Sequence, residues 1–442
     1  MQSDNVLIQT IENLVQESYK PNEPGAAVIV AKDGEVIFRK GQGIANLELD
    51  VLIEPDMVFR LGSITKQFTA VAILMLAEQG KLHLDDSISQ FLPNYPTHDY
   101  LITLKHLLTH TSGIKSYTSM PEWPPLWRKD FNVQELIDFF KYQPMESAPG
   151  KRWAYNNSGY ILLGAIIEKV SGQTYEQFIQ QNIFEPLGMK QSYYDNPTRI
   201  IPRRVAGYDK SDEGFTNAAY LSMTQPYAAG ALASTVDDLV LWDSALYTER
   251  LLKQETLKQA HISHQLTDGS STAYGYGWEI SEYAGHRLIE HGGGIHGFRT
   301  RAIRMPDDRV FVAVLSNNGG TDPGFLAFKI ATSVIGQPYN EPTPIELQPD
   351  VLTLYEGFYE FNAPEKIHIT CKNNQLFFQY GENPLVELVP LSPNEFFFKE
   401  MSLDRLRFLS DENEVVVALQ IHGRSGIPEI AKKIDTSALG AS

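Results

Sequence analysis

The clearest helical pattern in the chain runs from Phe59 to Gly80. Apolar residues recur there at steps of three and four, which is typical of a helix with a buried face. Gly80 closes the segment in the position of a left-handed C-terminal cap. The pattern therefore predicts a helix with Ser63 at or near its N-terminus, where free N–H groups and the helix dipole favour negative charge. The recurring apolar residues are Phe68, Val71, Ala72, Met75 and Leu76.

Strand patterns stand on both sides of this helical region. Residues 26–42 and 300–318 each predict a β-hairpin, the first turning at Asp33-Gly34. The chain from about 60 to 260 is mostly helical between them. This arrangement predicts an α+β fold, in which helices flank an antiparallel sheet whose edge strands come from distant parts of the chain. Further strands are predicted at 274–280 and 286–293, and further helices at 103–114, 132–141, 159–170 and 175–184.

The pattern changes again after residue 335. Residues 336–350 contain four prolines, which indicates a linker. Beyond it, about eight short alternating strands separated by polar turns predict a small β-barrel or sandwich. We therefore expect a first domain at 1–335, a linker at 336–350 and an all-β domain at 351–436.

The charge of the chain narrows the class of partner. The formal net charge is −17, and no long basic block is present. Nucleic acids and anionic membranes bind positive faces, so neither is an expected partner. No apolar run approaches the roughly 20 residues that a membrane helix requires, so no integral membrane segment is expected. A homo-oligomer is compatible with the sequence.

Cysteine content and the N-terminus leave the compartment open. Cys371 is the single cysteine, so the chain forms no internal disulfide and no cysteine-based metal site. The first 19 residues alternate apolar residues with acids and amides, and they lack the basic start and continuous apolar core of a signal peptide. The expectation is a cytoplasmic protein, or a periplasmic or secreted one if this is a mature form.

The first candidate for chemistry is the pair Ser63 and Lys66. A hydroxyl at a positive helix end with an amine one turn away suits a Ser–Lys acyl-transfer enzyme. The alternative is that Ser63 only caps the helix and Lys66 is a solvated surface charge. Ser112 and Lys115 match the same spacing, but Gly113 follows and no apolar helix stands behind them.

Two more patches could complete such a site. Tyr155 and Asn157 precede a predicted helix, so both side chains can project from a loop. Acyl transfer needs a base, a proton donor for the leaving group and donors for the oxyanion. We expect the Lys66 ammonium to lower the pKa of the Tyr155 phenol, and burial to lower the pKa of Lys66. The alternative for Tyr155 is a buried aromatic with a satisfied hydroxyl.

The third patch is a run of glycines after a histidine. Glycines allow a backbone N–H to approach a substrate carbonyl without a Cβ in the way. The alternatives are a strand end with a turn, or a structural histidine. The patch consists of His291, Gly292, Gly293 and Gly294.

An aromatic loop at 116–130 adds a further candidate feature. It carries Tyr117, Trp123 and Trp127 with three prolines, and it is too irregular for a helix or strand. Such a loop either covers a core or lines a pocket, and we favour the rim of a pocket.

Taken in order, these motifs resemble the serine β-lactamase and penicillin-binding-protein superfamily. The resemblance is to its branch of class C β-lactamase-related esterases and D-amino-acid peptidases, and it covers about residues 25–335. The final part, with YEGFY, resembles the lipocalin-like β-barrel often appended to this branch. The matching segments are FRLGSITKQFTA, QGKLHLDDSI, LKHLLTHTSGI, WAYNNSGYILLGAIIEKVSG, LGMKQSYYDN, AAGALASTVDDLVLW and EHGGGIHGF.

The resemblance implies a role for each candidate residue. Ser63 corresponds to the nucleophile, Lys66 to its activating partner and Tyr155 to the proton carrier toward the leaving group. Asn157 corresponds to a residue that helps to hold the substrate and Lys66. The backbone N–H groups of Ser63 and Gly294 correspond to the oxyanion hole.

The third motif departs from the family pattern. The family usually has Lys-Thr-Gly, whereas this chain has His291-Gly292-Gly293. The departure removes the lysine charge and the threonine hydroxyl that grip a carboxylate, which argues against efficient β-lactamase activity. The histidine form occurs among the peptidases and esterases of the branch.

Three alternative interpretations compete with this one. His-Gly-Gly-Gly also marks some α/β-hydrolases, but this chain lacks their Gly-x-Ser-x-Gly and His291 lies far after Ser63. Zinc binding through His261 and His264, or His291 and His296, lacks a carboxylate-rich context. A sensor that keeps the fold without turnover is a non-enzyme alternative.

The sequence thus predicts a serine hydrolase without metal or other cofactor. Its expected substrates are small acyl esters or amides, including D-amino-acid peptides. A β-lactamase or a D-Ala-D-Ala carboxypeptidase is the alternative within the same chemistry.

Overall fold

The computed structural model describes residues 2–361, 366–381, 383–399, 401–422 and 428–434. The chain divides into two compact units, Met1–Pro338 and Tyr339–Ser442. The division falls inside the segment 336–350 that the sequence marks as a linker. The predicted all-β domain at 351–436 includes residues 362–365, 382, 400, 423–427 and 435–436, which lie outside the described residues.

The first unit alternates strands with helices along the chain. Its helices are α1 (Gln2–Ser18), α2 (Thr65–Glu78), α3 (Leu104–Leu108), α4 (Val133–Phe140), α5 (Asn157–Ser171), α6 (Tyr175–Ile179), α7 (Glu185–Leu187), α8 (Tyr227–Gly230), α9 (Val236–Ala245), α10 (Gln254–Ala260) and α11 (Pro323–Val334). Its strands are β1 (Ala26–Lys32), β2 (Glu35–Gln42), β3 (Ile44–Asn46), β4 (Val51–Leu52), β5 (Phe59–Arg60), β6 (Tyr193–Tyr194), β7 (Tyr208–Ser211), β8 (Gly214–Asn217), β9 (Leu232–Ser234), β10 (Glu279–Tyr283), β11 (His286–Ile295), β12 (Phe298–Met305) and β13 (Val310–Ser316).

The main sheet of this unit has six antiparallel strands. Its strand order is β10-β11-β12-β13-β1-β2, so the edge strands come from distant parts of the chain, as predicted. Both predicted hairpins are present, β1 with β2 and β12 with β13. Asp33 and Gly34 both have positive φ, as a two-residue hairpin turn between these strands requires.

Helices α2 and α5 form the centre of the helical part. They pack against each other, and both contact α8. Residues 65–74 of α2 are all buried, so this helix is surrounded by protein rather than presenting one apolar face. The ring of Phe68 stacks on Trp242 of α9 with centroids 4.1 Å apart. Packing on all sides of α2 therefore fixes the position of its first turn.

Several predicted elements have different bounds in the structure. The helix expected at 103–114 ends at Leu108, because His110 adopts a left-handed φ of 58°. The strand expected at 274–280 begins only at Glu279, because Gly277 has a φ of 85° and Gly275 N–H donates to the Trp278 carbonyl in a turn. The helix expected at 175–184 continues to residue 187 through a π-helical turn.

The second unit is a closed eight-stranded antiparallel barrel, as predicted. Helix α12 (Pro349–Thr353) precedes it, and aromatic and aliphatic side chains such as Tyr359, Phe396 and Leu419 are fully buried in its core. Its strands are β14 (Gly357–Glu360), β15 (Lys366–Lys372), β16 (Gln375–Tyr380), β17 (Val386–Pro390), β18 (Glu395–Phe398), β19 (Met401–Ser410), β20 (Val416–His422) and β21 (Pro428–Ile434).

Within the described residues, no helix combines the length and apolar character needed to cross a bilayer.

Two glycines of α5 provide a test of how tightly the central helices pack. A Cβ on Gly164 would lie 2.3 Å from the Tyr227 ring, whereas a Cβ on Gly159 would meet nothing closer than 3.5 Å. Gly164→Ala should therefore lower the free energy of unfolding by about 1–3 kcal/mol through overpacking. Gly159→Ala should leave it unchanged or raise it by up to about 1 kcal/mol through helix propensity.

Urea unfolding followed by tryptophan fluorescence checks this prediction. All five tryptophans belong to the first unit, so the signal reports that unit alone. Equal effects of the two substitutions would contradict the close approach of α5 and α8.

Candidate active site

Ser63 lies in a tight turn that leads directly into α2. The turn is a 3-10 helix, Gly62–Ile64, and Gly62 has a φ of 55°. A Cβ on Gly62 would lie 2.9 Å from the backbone nitrogen of Gly294 in β11. The serine turn and this strand can approach so closely only because residue 62 is glycine. The predicted position of Ser63 at the start of the helix is confirmed.

The amine of Lys66 is fully buried beneath Ser63 and touches three oxygen atoms. Its Nζ lies 3.1 Å from Ser63 Oγ, 2.8 Å from Asn157 Oδ1 and 2.9 Å from the Ala229 carbonyl oxygen. The interpretation of Lys66 as a solvated surface charge is therefore wrong.

These contacts fit a neutral amine. Burial lowers the pKa of Lys66 well below its usual 10.5, as expected from the sequence. A neutral amine has two N–H groups and one lone pair. Asn157 Oδ1 and the Ala229 carbonyl can only accept, so they take the two N–H groups, and the lone pair faces the Ser63 hydroxyl. In its neutral form, the Lys66 amine can therefore accept the Ser63 proton.

Tyr155 lies beside both Ser63 and Lys66. Its hydroxyl interacts with that of Ser63, and Lys66 Nζ lies 4.7 Å from its ring centroid. The residue is 36% exposed, but protein atoms surround the phenol group and raise its pKa above the usual 10. The expectation that Lys66 lowers this pKa is wrong, because desolvation dominates and a neutral amine offers no charge. Tyr155 therefore keeps its proton and can donate it.

Asn157 joins Lys66 to the aromatic loop. Its Oδ1 accepts from Lys66, and its Nδ2 donates to Thr118 Oγ1 over 3.0 Å. The sequence placed Asn157 in a loop before the helix, but it is the first residue of α5, capped by the Asn156 side chain. The helix therefore fixes the amide that orients the amine.

His291 is buried in β11 and bonded on both ring nitrogens. Its Nδ1 lies 2.6 Å from the Gly292 carbonyl oxygen, so Nδ1 carries the proton. Its Nε2 accepts from the Tyr274 hydroxyl over 2.9 Å. Burial lowers the pKa of His291 to about 4, so the ring is neutral near pH 7. The third motif thus presents no charge where the family pattern has lysine.

The glycines after His291 let β11 lie directly against the serine turn. A Cβ on Gly293 would lie 2.0 Å from the Leu61 carbonyl oxygen. Strand β10 pairs with β11 only as far as Glu290, while β11 continues to Ile295. Residues 291–295 therefore form the edge that meets Ser63, and Gly294 lines the same cavity as Ser63. Gly292 packs beside the Arg301 side chain.

The cavity at Ser63 has a volume of about 90 Å³ and an aromatic wall. Tyr117 and Trp123 of the predicted aromatic loop line it, so the loop forms part of a pocket rim as favoured above. Trp127 does not line it; its ring packs against His296 at 4.4 Å. The other lining residues are Gly62, Thr118, Asn157, Leu221, Pro226, Ala229, Gly230, Gly294, Ile295 and His296.

Sequence comparison identifies the family of the chain. A family model described as Beta-lactamase matches residues 7–331. The chain belongs to the Beta-lactamase family. It is 29% identical over 425 residues to a penicillin-binding protein of Bacillus subtilis, covering 90% of this chain and 92% of that protein. It is also 29% identical over 335 residues to a D-aminopeptidase of Gluconobacter oxydans, covering 74% of this chain and 62% of that protein.

Two solved structures of related sequence have a similar fold. An octameric penicillin-binding protein homologue from Pyrococcus abyssi matches with a TM-score of 0.68 at 27% identity, covering 97% of this chain and 99% of that one. A D-amino acid amidase from Ochrobactrum anthropi SV3 matches with a TM-score of 0.64 at 26% identity, covering 76% and 97%. The octamer is a property of the Pyrococcus protein; for this chain a homo-oligomer stays a prediction.

The second Ser–Lys match and His261 make contacts of other kinds. Ser112 is buried, while Lys115 pairs with Glu146 at 2.7 Å, so the second Ser–Lys match forms no catalytic pair. His261 packs edge-on against the Trp278 ring. Across the described ranges, no group of three or more His, Cys, Asp or Glu side chains is placed to hold a metal ion.

His110 is a residue of the site that the sequence reasoning missed. Its carbonyl accepts from Ala154 N–H at 2.9 Å, and its Nδ1 accepts from Asn156 N–H at 3.0 Å. Both amides that flank Tyr155 in the chain are thus bonded to His110, and the two rings lie 4.4 Å apart. Burial lowers the pKa of His110 well below 6.5, which keeps Nδ1 free to accept. A histidine inside the apolar segment LKHLLTHTSGI was the available signal.

The pH dependence of Ser63 acylation should follow Lys66. With p-nitrophenyl acetate as acyl donor, kcat/KM should rise with pH through a pKa well below 10.5, because the amine must be neutral to accept the serine proton. Lys66→Arg holds a permanent charge and should lower kcat/KM at least about 100-fold. A rate that rises only near the ordinary lysine pKa, or that survives Lys66→Arg, would rule out Lys66 as the base.

His110 substitutions should affect the reaction through Tyr155. His110→Phe keeps a ring but loses the acceptor, and should lower kcat at least about tenfold for an alkyl ester. His110→Asn keeps an acceptor and tolerates positive φ, so it should retain more activity. The loss should be smaller for p-nitrophenyl acetate, whose leaving group needs no proton. Equal losses on the two esters would show that His110 does not act through Tyr155.

Proposed function

We propose that this chain is a serine hydrolase that forms an acyl-enzyme on Ser63 and releases it with water. The observation that carries the proposal is the buried Lys66 amine, whose Nζ lies 3.1 Å from Ser63 Oγ while Asn157 Oδ1 and the Ala229 carbonyl oxygen hold it from the other sides. The family relatives named as a D-aminopeptidase and a D-amino acid amidase are hydrolases, which supports the reaction class.

Acylation follows from the positions of the three side chains. Ser63 Oγ forms a bond to the acyl carbon while its proton passes to Lys66 Nζ. The backbone N–H groups of Ser63 and Gly294 face the resulting oxyanion. Tyr155 gives its proton to the leaving group as the bond from the acyl carbon breaks, and it regains a proton from the Lys66 ammonium. In the second half, water attacks the acyl carbon and gives a proton to Lys66 Nζ. The bond between the acyl carbon and Ser63 Oγ then breaks, Ser63 regains its proton from Lys66, and the carboxylic acid departs.

Small acyl esters and amides, including D-amino-acid peptides, are the proposed substrates. The names of the two hydrolase relatives support amides of D-amino acids. The neutral ring of His291 stands where the family pattern has a lysine, so the carboxylate of a β-lactam or of a peptide C-terminus finds no cation there. This argues against efficient β-lactamase activity.

The similarity to a penicillin-binding protein supports a second candidate function. It matches 90% of this chain, so a D-Ala-D-Ala carboxypeptidase is the alternative within the same chemistry. A sensor without turnover is the alternative of another class. The mutual contacts of Ser63, Lys66 and Asn157, with Tyr155 beside them, argue against a protein that cannot be acylated at Ser63. A sensor that is acylated but not turned over stays an alternative.

Two substitutions at the site test the proposal. Ser63→Ala should abolish turnover of p-nitrophenyl acetate above the uncatalysed rate. Tyr155→Phe should lower the rate about 100- to 10,000-fold for an alkyl ester or anilide, because these leaving groups need a proton. The loss should be much smaller for the p-nitrophenyl ester. Retained activity in Ser63→Ala would refute the acyl-enzyme.

Intact-mass measurement of the Ser63 adduct separates the candidate functions. The wild-type chain is mixed with a penicillin, a p-nitrophenyl ester and a D-Ala-D-Ala peptide, with Ser63→Ala as the control. Rapid ester turnover without a penicillin adduct supports the proposed hydrolase. A long-lived penicillin adduct without turnover would favour the penicillin-binding or sensor alternative.

A further inference from the structure

Two arginine side chains of β12 lie across the glycines of β11. Arg301 stands opposite Gly292 in the register of the strands, and a Cβ on that glycine would lie 2.9 Å from Arg301 Nη1. Arg299 stands opposite Gly294, and a Cβ there would lie 2.4 Å from Arg299 Nη1. Each guanidinium group therefore occupies the space that a side chain on the opposite glycine would need.

The two guanidinium groups differ in their counter-charges. Arg301 is buried and pairs with Glu290 at 2.6 Å and with Glu279 at 2.8 Å. Arg299 is exposed, and its Nε donates to the Gly319 carbonyl oxygen at 3.2 Å. Within the part of the chain that the structure describes, Arg299 forms no ion pair. Its positive charge is therefore not neutralised by a bonded carboxylate.

Arg299 approaches the strand edge that meets Ser63 from behind. Thr300 Oγ1 donates to the Leu61 carbonyl oxygen at 2.8 Å, so Thr300 faces the serine turn. Successive side chains of a strand point to opposite faces, so Arg299 reaches Gly294 from the face that points away from this turn. Arg299 does not line the cavity that contains Ser63 and Gly294. The guanidinium group thus contacts Gly294 without entering the site.

This placement has a consequence for the proposed acylation step. The N–H of Gly294 is one of the two donors for the oxyanion in the proposed function. A fixed positive charge beside that donor lowers the free energy of the charged intermediate more than that of the neutral substrate. Because Arg299 is exposed, water weakens the attraction, and Asp209 beside Gly319 weakens it further. A rate effect of about three- to tenfold is the expected size.

We propose that the Arg299 guanidinium stabilises the oxyanion that forms at Gly294, acting from behind β11. The proposal rests on the proposed function, because it assumes that Ser63 is acylated. Arg299 is a supporting residue here, since it acts through its charge and through Gly294. The proposal also gives a reason for glycine at position 294, because a side chain there would displace the guanidinium group.

Two substitutions that remove equal charge from β11 and β12 test the proposal. Arg299→Gln should lower kcat/KM for p-nitrophenyl acetate about three- to tenfold. Arg287→Gln is the matched control, because Arg287 is exposed and pairs only with Asp307 at 3.2 Å. Arg287 precedes Gly294 by seven residues of β11 (294 minus 287), or about 23 Å, which exceeds the Debye length. It should leave kcat/KM within about twofold of the wild-type value.

A conservative variant separates charge from packing. Arg299→Lys keeps the charge and loses the planar guanidinium group, so it should retain more activity than Arg299→Gln. Tryptophan fluorescence confirms that each variant is folded. Equal losses in the lysine and glutamine variants would assign Arg299 a packing role and contradict the proposal.

Salt dependence provides a readout that a packing role would not change. p-Nitrophenyl acetate is uncharged, so salt cannot act on this substrate through electrostatic steering. The wild-type kcat/KM should fall about two- to threefold as NaCl is raised to about 1 M, because salt screens the exposed Arg299 charge. Arg287→Gln should show the same fall, whereas Arg299→Gln should not.

A boronic acid measures the effect on a stable anion. Phenylboronic acid mimics the intermediate: Ser63 Oγ forms a bond to boron, the Ser63 proton passes to Lys66 Nζ, and the tetrahedral boron group carries a negative charge. Its inhibition constant should rise in Arg299→Gln by the same factor by which kcat/KM falls. It should not change in Arg287→Gln.

The outcomes separate this proposal from the function on which it rests. If p-nitrophenyl acetate gives no turnover and no adduct that depend on Ser63, the proposed function fails. If turnover depends on Ser63 but Arg299→Gln matches Arg287→Gln in rate, salt dependence and boronate inhibition, the role of Arg299 is overturned and the hydrolase stands.

Discussion

The site depends on keeping one amine away from water. Lys66 is fully buried, and a buried ammonium is costly, so the folded chain favours the neutral form. The three oxygen atoms around Nζ come from the serine turn, the first residue of α5 and the end of α8. The packing of three separate elements therefore determines both the protonation state and the direction of the lone pair. The packing that stabilises the fold therefore also sets the properties of Lys66 Nζ.

Glycines without side chains allow the sheet to take part in the site. Gly62 and Gly293 allow the serine turn and the free edge of β11 to lie within backbone contact. The closeness brings Gly294 into the cavity with Ser63. In the proposed function, the helices supply the base and its support, the serine turn supplies one donor for the oxyanion, and the strand edge supplies the other. The candidate active site thus lies where the six-stranded sheet meets the central helices of the first unit.

Much of this arrangement was predictable from the sequence because it rests on local patterns. The Ser63 helix, both hairpins and the barrel follow from periodicity and turn residues. The resemblance brought Ser63, Lys66 and Tyr155 together. The pKa of Tyr155 was predicted in the wrong direction, because the effect of burial depends on atoms from distant segments. His110 was missed for a similar reason: its two bonds go to residues more than 40 positions away.

The order of strands has a consequence for how the chain folds during synthesis. Strand β1 pairs with β13, and Ala26 lies opposite Ser316. At ribosomal rates, the 290 residues between them (316 minus 26) take about 15–60 s to emerge. During that time the apolar strand AAVIVAK has only β2 beside it, with its other edge open. The nascent chain therefore carries an exposed, aggregation-prone edge until β13 has been made.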